Sequence, residues 1–439
     1  MSDLTLEPLR QPFAARITPP GSKSLTNRAL VLGALAAGPC EISNILVADD
    51  TAVMLDGLKR LGFALEADRA EGAADTGTLR IEGRAGTIPA SRAELFCGNS
   101  GTTIRFLTAM CALGRGRYTL DGVPRMRQRP IGALTALLTT LGARITHEPG
   151  ADGFPPVHVE AGGLRGGTIA YGSEVSSQYL SAVLIAAPCA AAGVRVELTG
   201  VQTSWPYVAM TLQLMARFGV TPALETDAAT GAPRRIVVTP ARYAPTRYAV
   251  EPDASNASYF LAAAAVNPGA KVTIEGLGNT SLQGDVGFAS VLRRMGADVV
   301  IGTDFITVTG PAAITGIDVD LSGMPDMAQT LGVVGAFASG RTTIRGLRTL
   351  RVKETDRIDA LSRELRKLGA GVDVEGDALT ITPAPGRSAA IDTYDDHRMA
   401  MSFAVAGTRI PGVTIRDVEC VGKTYPRFFA DLKSVITSA

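Results

Sequence analysis

Apolar positions along the chain keep two alternating rhythms. Runs of small apolar residues, Ala29–Ala37 among them, suit a helix buried on every side. After such a run come a Gly or Pro, a short segment of alternating apolar and polar residues, a polar loop and a second helix. The alternating segments are Pro39–Ile45, Gly116–Gly122, Gly193–Gly200, Gly269–Gly276, Gly340–Gly346 and Gly412–Val418, and each predicts a strand. Five of the second helices end in a Leu, Met or Phe followed by Gly, at Gly62, Gly142, Gly219, Gly296 and Gly369, spaced 80, 77, 77 and 73 residues apart. Gly just past a helix is the stop signal for a left-handed cap. Leu134, Leu137, Leu138 and Leu141 trace the apolar stripe of such a second helix. Beyond each Gly lie hairpin-like pairs, such as Phe63–Asp68 with Thr78–Gly83, and Val299–Asp304 with Phe305–Gly310.

One unit therefore reads as βαβαββ and recurs six times, which predicts an α/β repeat protein. Six units divide as three plus three. The Pro- and Arg-rich stretch Ala241–Pro252 is the linker candidate, and Thr18–Ser22 is a second hinge-like stretch. The expected domains are 23–245, and 1–22 together with 246–439.

Polar residues collect just before the buried helices, at Ser22–Arg28, Asn99–Arg105, Ser176–Tyr179, Asp253–Ser258, Asp326–Thr330 and Asp396–Ala400. Helix capping explains part of this pattern, and Asp253 reads as a cap outright. It does not explain Lys23, Arg28, Arg105 and Arg398. A cation at a helix start opposes the macrodipole unless an anion lies between them. Several such starts therefore imply bound phosphate or carboxylate groups. A phosphate-binding P-loop is excluded, because Lys23 does not directly follow Gly21 and Arg16 stands where the first Gly would be. Two more cationic runs occupy matching points of two repeats. Arg125, Arg127 and Arg129 precede one helix, and Lys353, Glu354 and Arg357 open another that carries Ile358, Leu361, Leu365 and Leu368.

Composition narrows the chemistry. The 439 residues exceed one ordinary core. A net charge of +1 offers no bulk attraction to nucleic acid or membrane, so any anion site is built locally. The five cysteines form no CxxC pair, which reads as a reduced, cytoplasmic protein, and the three histidines form no cluster for a metal. The opening residues lack a basic stretch followed by an apolar one, so no secretory leader is expected. The longest apolar run, Leu180–Val194, falls short of the roughly 20 residues of a membrane span.

Seven segments resemble the 5-enolpyruvylshikimate-3-phosphate synthase family, in that family's order and across nearly the whole chain. They begin at Pro20 (PGSKSLTNRAL), Cys97 (CGNSGTTIRF), Pro124 (PRMRQRPIG), Val175 (VSSQYLSA), Val250 (VEPDASNASYFLAAAA), Arg351 (RVKETDR) and Tyr394 (YDDHRMAMSF). The resemblance implies two domains, each of three βαβαββ units in an inside-out, barrel-like arrangement, with the site in the cleft between them. It implies transfer of the enolpyruvyl group of phosphoenolpyruvate to the 5-hydroxyl of shikimate 3-phosphate, on the route to chorismate and the aromatic amino acids. It implies no metal, no cofactor, a monomer, and sensitivity to the herbicide glyphosate.

By the same resemblance, shikimate 3-phosphate is held by Lys23, Ser24, Arg28, Ser176, Ser177, Gln178, Ser204, Tyr207, Asp326, Thr349 and Lys353. Phosphoenolpyruvate is held by Lys23, Asn99, Gly101, Arg129, Gln178, Arg357, Arg398 and Lys423. Asp326 is the base toward the 5-hydroxyl, and Glu354 with Lys23 moves a proton at the methylene carbon. The chain departs from the family in carrying Phe106 after Arg105 instead of Pro, and Thr349 where Asn is common. Two rival readings are the related transferase that acts on UDP-N-acetylglucosamine and a non-catalytic sensor of phosphorylated ligands. The first uses a loop cysteine whose pattern neither Cys97 nor Cys111 matches. The second does not need Asp326, Glu354 and Lys23 together.

Overall fold

The computed structural model describes residues 2–68, 76–172 and 176–438. Val175 of the fourth family-like segment lies outside them. The chain forms two units, Gly21–Val250 and Met1–Pro20 with Glu251–Ala439.

In the unit 21–250, three apolar helices form the centre: Lys23–Leu35, Gly101–Cys111 and Gln178–Ala186. Nearly every residue of each is buried. Three four-stranded sheets accompany them, and all follow one plan. A strand runs parallel to the one that follows the buried helix, and a hairpin adds two antiparallel strands. Arg92–Phe96 lies parallel to Arg115–Asp121, which pairs with Val157–Gly162 and through it with Arg144–His147. The sheet around Pro39–Leu46 takes its parallel strand from Arg247–Ala249, inside the stretch whose composition reads as a linker. The second helices are amphipathic. In Gly132–Thr140, for instance, Leu134 and Leu138 are buried.

The unit formed by 1–20 and 251–439 repeats the plan around Ala254–Val266, Ala328–Ala336 and His397–Gly407. Its first sheet borrows Ala14–Ile17 as the parallel partner of Lys271–Glu275. Its last sheet has three strands. Ala390–Ile391 lies parallel to Thr414–Ile415, and Leu4–Thr5 takes the antiparallel place that a hairpin strand holds elsewhere. Side-chain hydroxyls link the three central helices, with Ser258 3.2 Å from Thr330 and Thr330 3.3 Å from Ser402.

All five repeat glycines adopt the positive φ that the cap requires, from 84° at Gly219 to 105° at Gly142. Gly21 is constrained differently. A Cβ there would fall 1.9 Å from the Asn44 carbonyl oxygen, so no side chain fits. This close approach brings Ser22 and Lys23 onto the end of the Pro39–Leu46 strand.

Candidate active site

In the unit 21–250 the cations group at the starts of the buried helices. Ser22 caps its helix by accepting the Leu25 N–H. The next residue, Lys23, places Nζ 3.1 Å from Asp50 Oδ2, and both side chains are largely buried. Asp50 was not singled out in the sequence. It lies in the first turn of the helix Asp49–Arg60, where a carboxylate also offsets the macrodipole. In the fold, the Asp50 carbonyl also accepts from the Thr103 hydroxyl, which lies 2.8 Å from that of Ser100, the cap of the second buried helix.

Arg28 lies one turn further along the Lys23 helix and is among the largest fully buried side chains. Its Nε donates to Thr211 Oγ1 at 2.8 Å, and Nη1 donates to the Ser24 carbonyl at 2.9 Å. Its Nη2 reaches Ser181 Oγ and the Tyr207 carbonyl, each at 3.3 Å. Burial among neutral acceptors pulls this guanidinium down to about 10. Its Cζ lies over the Phe106 ring, 5.2 Å from the centroid.

A second chain of contacts runs across the start of the Gly101–Cys111 helix. Arg129 donates through Nη1 to the Asn99 carbonyl at 2.8 Å and to Asn99 Oδ1 at 3.2 Å. Arg105 donates to Gln178 Oε1 at 2.6 Å and stacks over Tyr179, and Gln178 donates onward to Thr102 Oγ1 at 3.1 Å. Gly101 sits beneath these forks. A Cβ on it would lie 2.6 Å from Arg129 Nη2 and 3.0 Å from Arg105 Nη1. Ser176 Oγ accepts the Gln178 N–H, while Ser177 and Ser204 are buried, the latter with φ 54°. Arg125 and Arg127 stay at the surface, bonded to Gln128 and Asp121. Of that run, only Arg129 is buried.

In the other unit the charged residues interlock. Asp326 Oδ1 lies 3.2 Å from Lys353 Nζ and 3.1 Å from Arg357 Nη1, and Oδ2 lies 3.1 Å from Arg398 Nη2. Burial alone would raise this carboxyl, but Lys353, Arg398 and Arg357 hold it well below the usual carboxylate range. Glu354 lies 2.9 Å from Arg357 and 3.8 Å from Lys423. Asp396, which opens the last of the polar runs, grips Arg357 with both oxygens, at 2.6 and 3.1 Å. It also caps its helix by accepting the Arg398 N–H. Arg398 further donates to the buried Tyr259 hydroxyl, at 3.3 Å. Thr349 is buried nearby in the chain, and its hydroxyl has no partner among the described residues.

Asp253 accepts the Asn256 N–H and is a helix cap, as its position predicts. Among the described residues, no group of three His, Cys, Asp or Glu side chains could hold a metal ion, and no helix is long and apolar enough to cross a membrane. A cavity of about 840 Å³ lies between Leu4–Pro12 and Phe429–Ser438, and none of the residues above lines it.

Chemically, clustered guanidinium and ammonium groups of this kind are able to hold carboxylate or phosphate. In the unit 21–250, the group comprises Lys23, Arg28, Arg105 and Arg129, with Asp50 beside Lys23. In the other, Lys353, Arg357, Arg398 and Lys423 stand against Asp326, Glu354 and Asp396.

Residues 9–432 match the sequence model of the family described as EPSP synthase (3-phosphoshikimate 1-carboxyvinyltransferase). The chloroplastic 3-phosphoshikimate 1-carboxyvinyltransferase of Brassica napus is 47% identical, over 99% of this chain and 85% of that protein. The Nitrosomonas europaea enzyme of the same name is 46% identical over 95% of both chains. A solved EPSP synthase from Acinetobacter baumannii superposes with a TM-score of 0.80 at 26% identity, covering 99% of this chain and 98% of its own.

Proposed function

Since the chain belongs to the EPSP synthase (3-phosphoshikimate 1-carboxyvinyltransferase) family, we propose that its buried cations hold the anionic groups of shikimate 3-phosphate and phosphoenolpyruvate. The protein is a transferase of the shikimate pathway, moving the carboxyvinyl group of phosphoenolpyruvate to the 5-hydroxyl of shikimate 3-phosphate. The observation that carries the site assignment is the gathering of Lys23, Arg105 and Arg129 in one unit and of Lys353, Arg357, Arg398 and Lys423 in the other. Each substrate brings a carboxylate and a phosphate of about −1.5 to −2 charge, and Arg forks orient such groups as well as neutralise them.

Shikimate 3-phosphate is assigned to Lys23, Ser24, Arg28, Ser176, Ser177, Gln178, Ser204 and Tyr207, and to Asp326, Thr349 and Lys353. The unpartnered Thr349 hydroxyl supports its place in this set. The contacts of Arg28 limit what it offers. Four of its five N–H groups already point at protein acceptors, so it braces Ser24 and Tyr207 and has one N–H left for ligand. Phosphoenolpyruvate is assigned to Lys23, Asn99, Gly101, Arg129, Gln178, Arg357, Arg398 and Lys423. Asn99 acts through Arg129, which it holds by two oxygens.

The chemistry is addition followed by elimination. Asp326 takes the proton of the 5-hydroxyl as that oxygen bonds to the central carbon of phosphoenolpyruvate. Glu354, with Lys23, delivers a proton to the methylene carbon. The tetrahedral adduct then loses a methyl proton and phosphate, restoring the double bond. Before ligands arrive, Asp326 is a poor base, because three cations stabilise its ionised form. Substrate anions that draw Lys353, Arg357 and Arg398 onto themselves would return basicity to Asp326. General acid–base assistance of this kind contributes about 10²–10⁴-fold.

The UDP-N-acetylglucosamine reading is not favoured. Cys97 and Cys111 are buried, and burial pushes both thiols up, away from reactive thiolate. Five unbridged cysteines support a reducing, cytoplasmic location.

Phosphate release is the decisive assay. Release should require phosphoenolpyruvate and shikimate 3-phosphate, with UDP-N-acetylglucosamine inert as acceptor. Asp326→Ala and Glu354→Ala should each lower kcat by about 10²-fold or more, with a much smaller change in shikimate 3-phosphate affinity. A loss confined to KM would make them binding residues instead.

A further inference from the structure

Glu364 is fully buried on the helix Arg357–Lys367, seven residues after Arg357 and therefore on the same helix face. Its carboxylate accepts the Tyr394 hydroxyl at 2.6 Å and the Asp392 N–H at 3.0 Å. Lys367 lies 2.7 Å from the same carboxylate and 2.6 Å from that of Asp392. The segment 392–396 is thus held to this helix at two levels, by Glu364 at one end and by the Arg357–Asp396 fork at the other. Between these grips, Tyr394 and Asp395 both have positive φ, 56° and 53°. Side chains with a Cβ rarely adopt that conformation, and two in succession need an external hold. Directly after them, Asp396 turns back to extended backbone, caps the last buried helix and sets Arg398 in its first turn.

We infer that the pair of buried Glu364 and half-buried Tyr394 is a positioning device for the phosphoenolpyruvate side of the site. It holds the left-handed turn that aims Asp396 at Arg357 and presents Arg398. Neither residue touches substrate; both act through Asp396. Releasing the Tyr394 hydroxyl lets the turn relax and blurs the placement of the two guanidinium groups. Lys353, on the shikimate 3-phosphate side, does not depend on this turn. The inference rests on the assignment of Arg357 and Arg398 to phosphoenolpyruvate made above.

The test compares steady-state phosphate release by wild type, Tyr394→Phe, Glu364→Gln and Glu364→Leu. Tyr394→Phe keeps the ring and removes only the hydroxyl. It should raise KM for phosphoenolpyruvate about tenfold while KM for shikimate 3-phosphate stays within about twofold. Glu364→Gln keeps an acceptor for Tyr394 and should stay near wild type, whereas Glu364→Leu should match or exceed the Tyr394→Phe defect. An unchanged phosphoenolpyruvate KM in Tyr394→Phe overturns the inference, as does an equal rise in both KM values with a lowered Tm. Calorimetric binding of inorganic phosphate is the second readout, expected to be weaker in Tyr394→Phe. Equal affinity for wild type and variant would also overturn it. Wild type that released no phosphate would instead defeat the proposed function, and the phosphate titration would still judge the pair.

Discussion

Phe106 shows how one side chain can replace a family preference and take on a contact of its own. The helix Gly101–Cys111 runs unbroken through it, with the backbone N–H that a Pro would lack. The ring is buried beneath the Arg28 guanidinium. A desolvated cation–π contact of this type contributes about 1–2 kcal/mol. Phe106→Leu should therefore raise KM for shikimate 3-phosphate several-fold with kcat kept, and an unaltered KM would show the stacking to be incidental. The same position bears on glyphosate, the inhibitor of this family that takes the phosphoenolpyruvate place. Wild type should be inhibited more weakly than Phe106→Pro at equal phosphoenolpyruvate saturation, and equal inhibition constants would refute this. Gly101 is the tighter constraint. A methyl group there displaces the tips of Arg129 and Arg105, so Gly101→Ala should raise KM for phosphoenolpyruvate about tenfold.

Among the helices, the start of Ala328–Ala336 behaves unlike an ordinary capped end. Asp326 does not cap it. The carboxylate is committed to Lys353, Arg357 and Arg398. Its folded value lies below the unfolded one, so its ionised form stabilises the fold above about pH 4. That contribution is lost as pH falls through the unfolded value toward the folded one. Asp326→Asn leaves the cations short of a counter-charge and should cost about 3 kcal/mol at neutral pH, with the gap to wild type narrowing below about pH 4. Denaturant melts of ligand-free protein across that range would check it, and a constant gap would contradict the assignment of the effect to Asp326 ionisation. The hydroxyl ladder Ser258–Thr330–Ser402 is separate from this charge cluster in its effect. Thr330→Val should cost about 1 kcal/mol of stability and leave both KM values alone.

Taken over 439 residues, the chain is almost neutral at +1, so its affinity for anions is a matter of local placement rather than overall charge. Inorganic phosphate should raise the stability of the ligand-free protein by about 1–3 kcal/mol once its concentration exceeds Kd ten- to hundredfold. Chloride at matched ionic strength should do much less. Equal effects of the two salts would mean that screening, and not occupancy of the Arg and Lys clusters, is responsible.

The repeat period, the buried helices, the glycine stops and the rows of cations before the helices were all readable along the chain. Each depends on neighbours within a few residues: a Cβ excluded from a left-handed cap at Gly142, or an apolar stripe recurring each turn before it. Other features depended on pairings across long separations. Lys23 meets Asp50, and Arg357 meets Asp396, across distances in sequence that carry no local period. Arg125 and Arg129 belong to one basic run, yet one stays at the surface and the other is buried against Asn99. Arg247–Ala249 looks like a linker by composition and is a strand because Glu41–Ser43 offers it an edge. Leu4–Thr5 completes a sheet with Thr414–Ile415 for the same reason. Periodicity records which face a residue turns inward. It does not record which buried charge waits there, because that choice is made by packing between segments far apart in the chain.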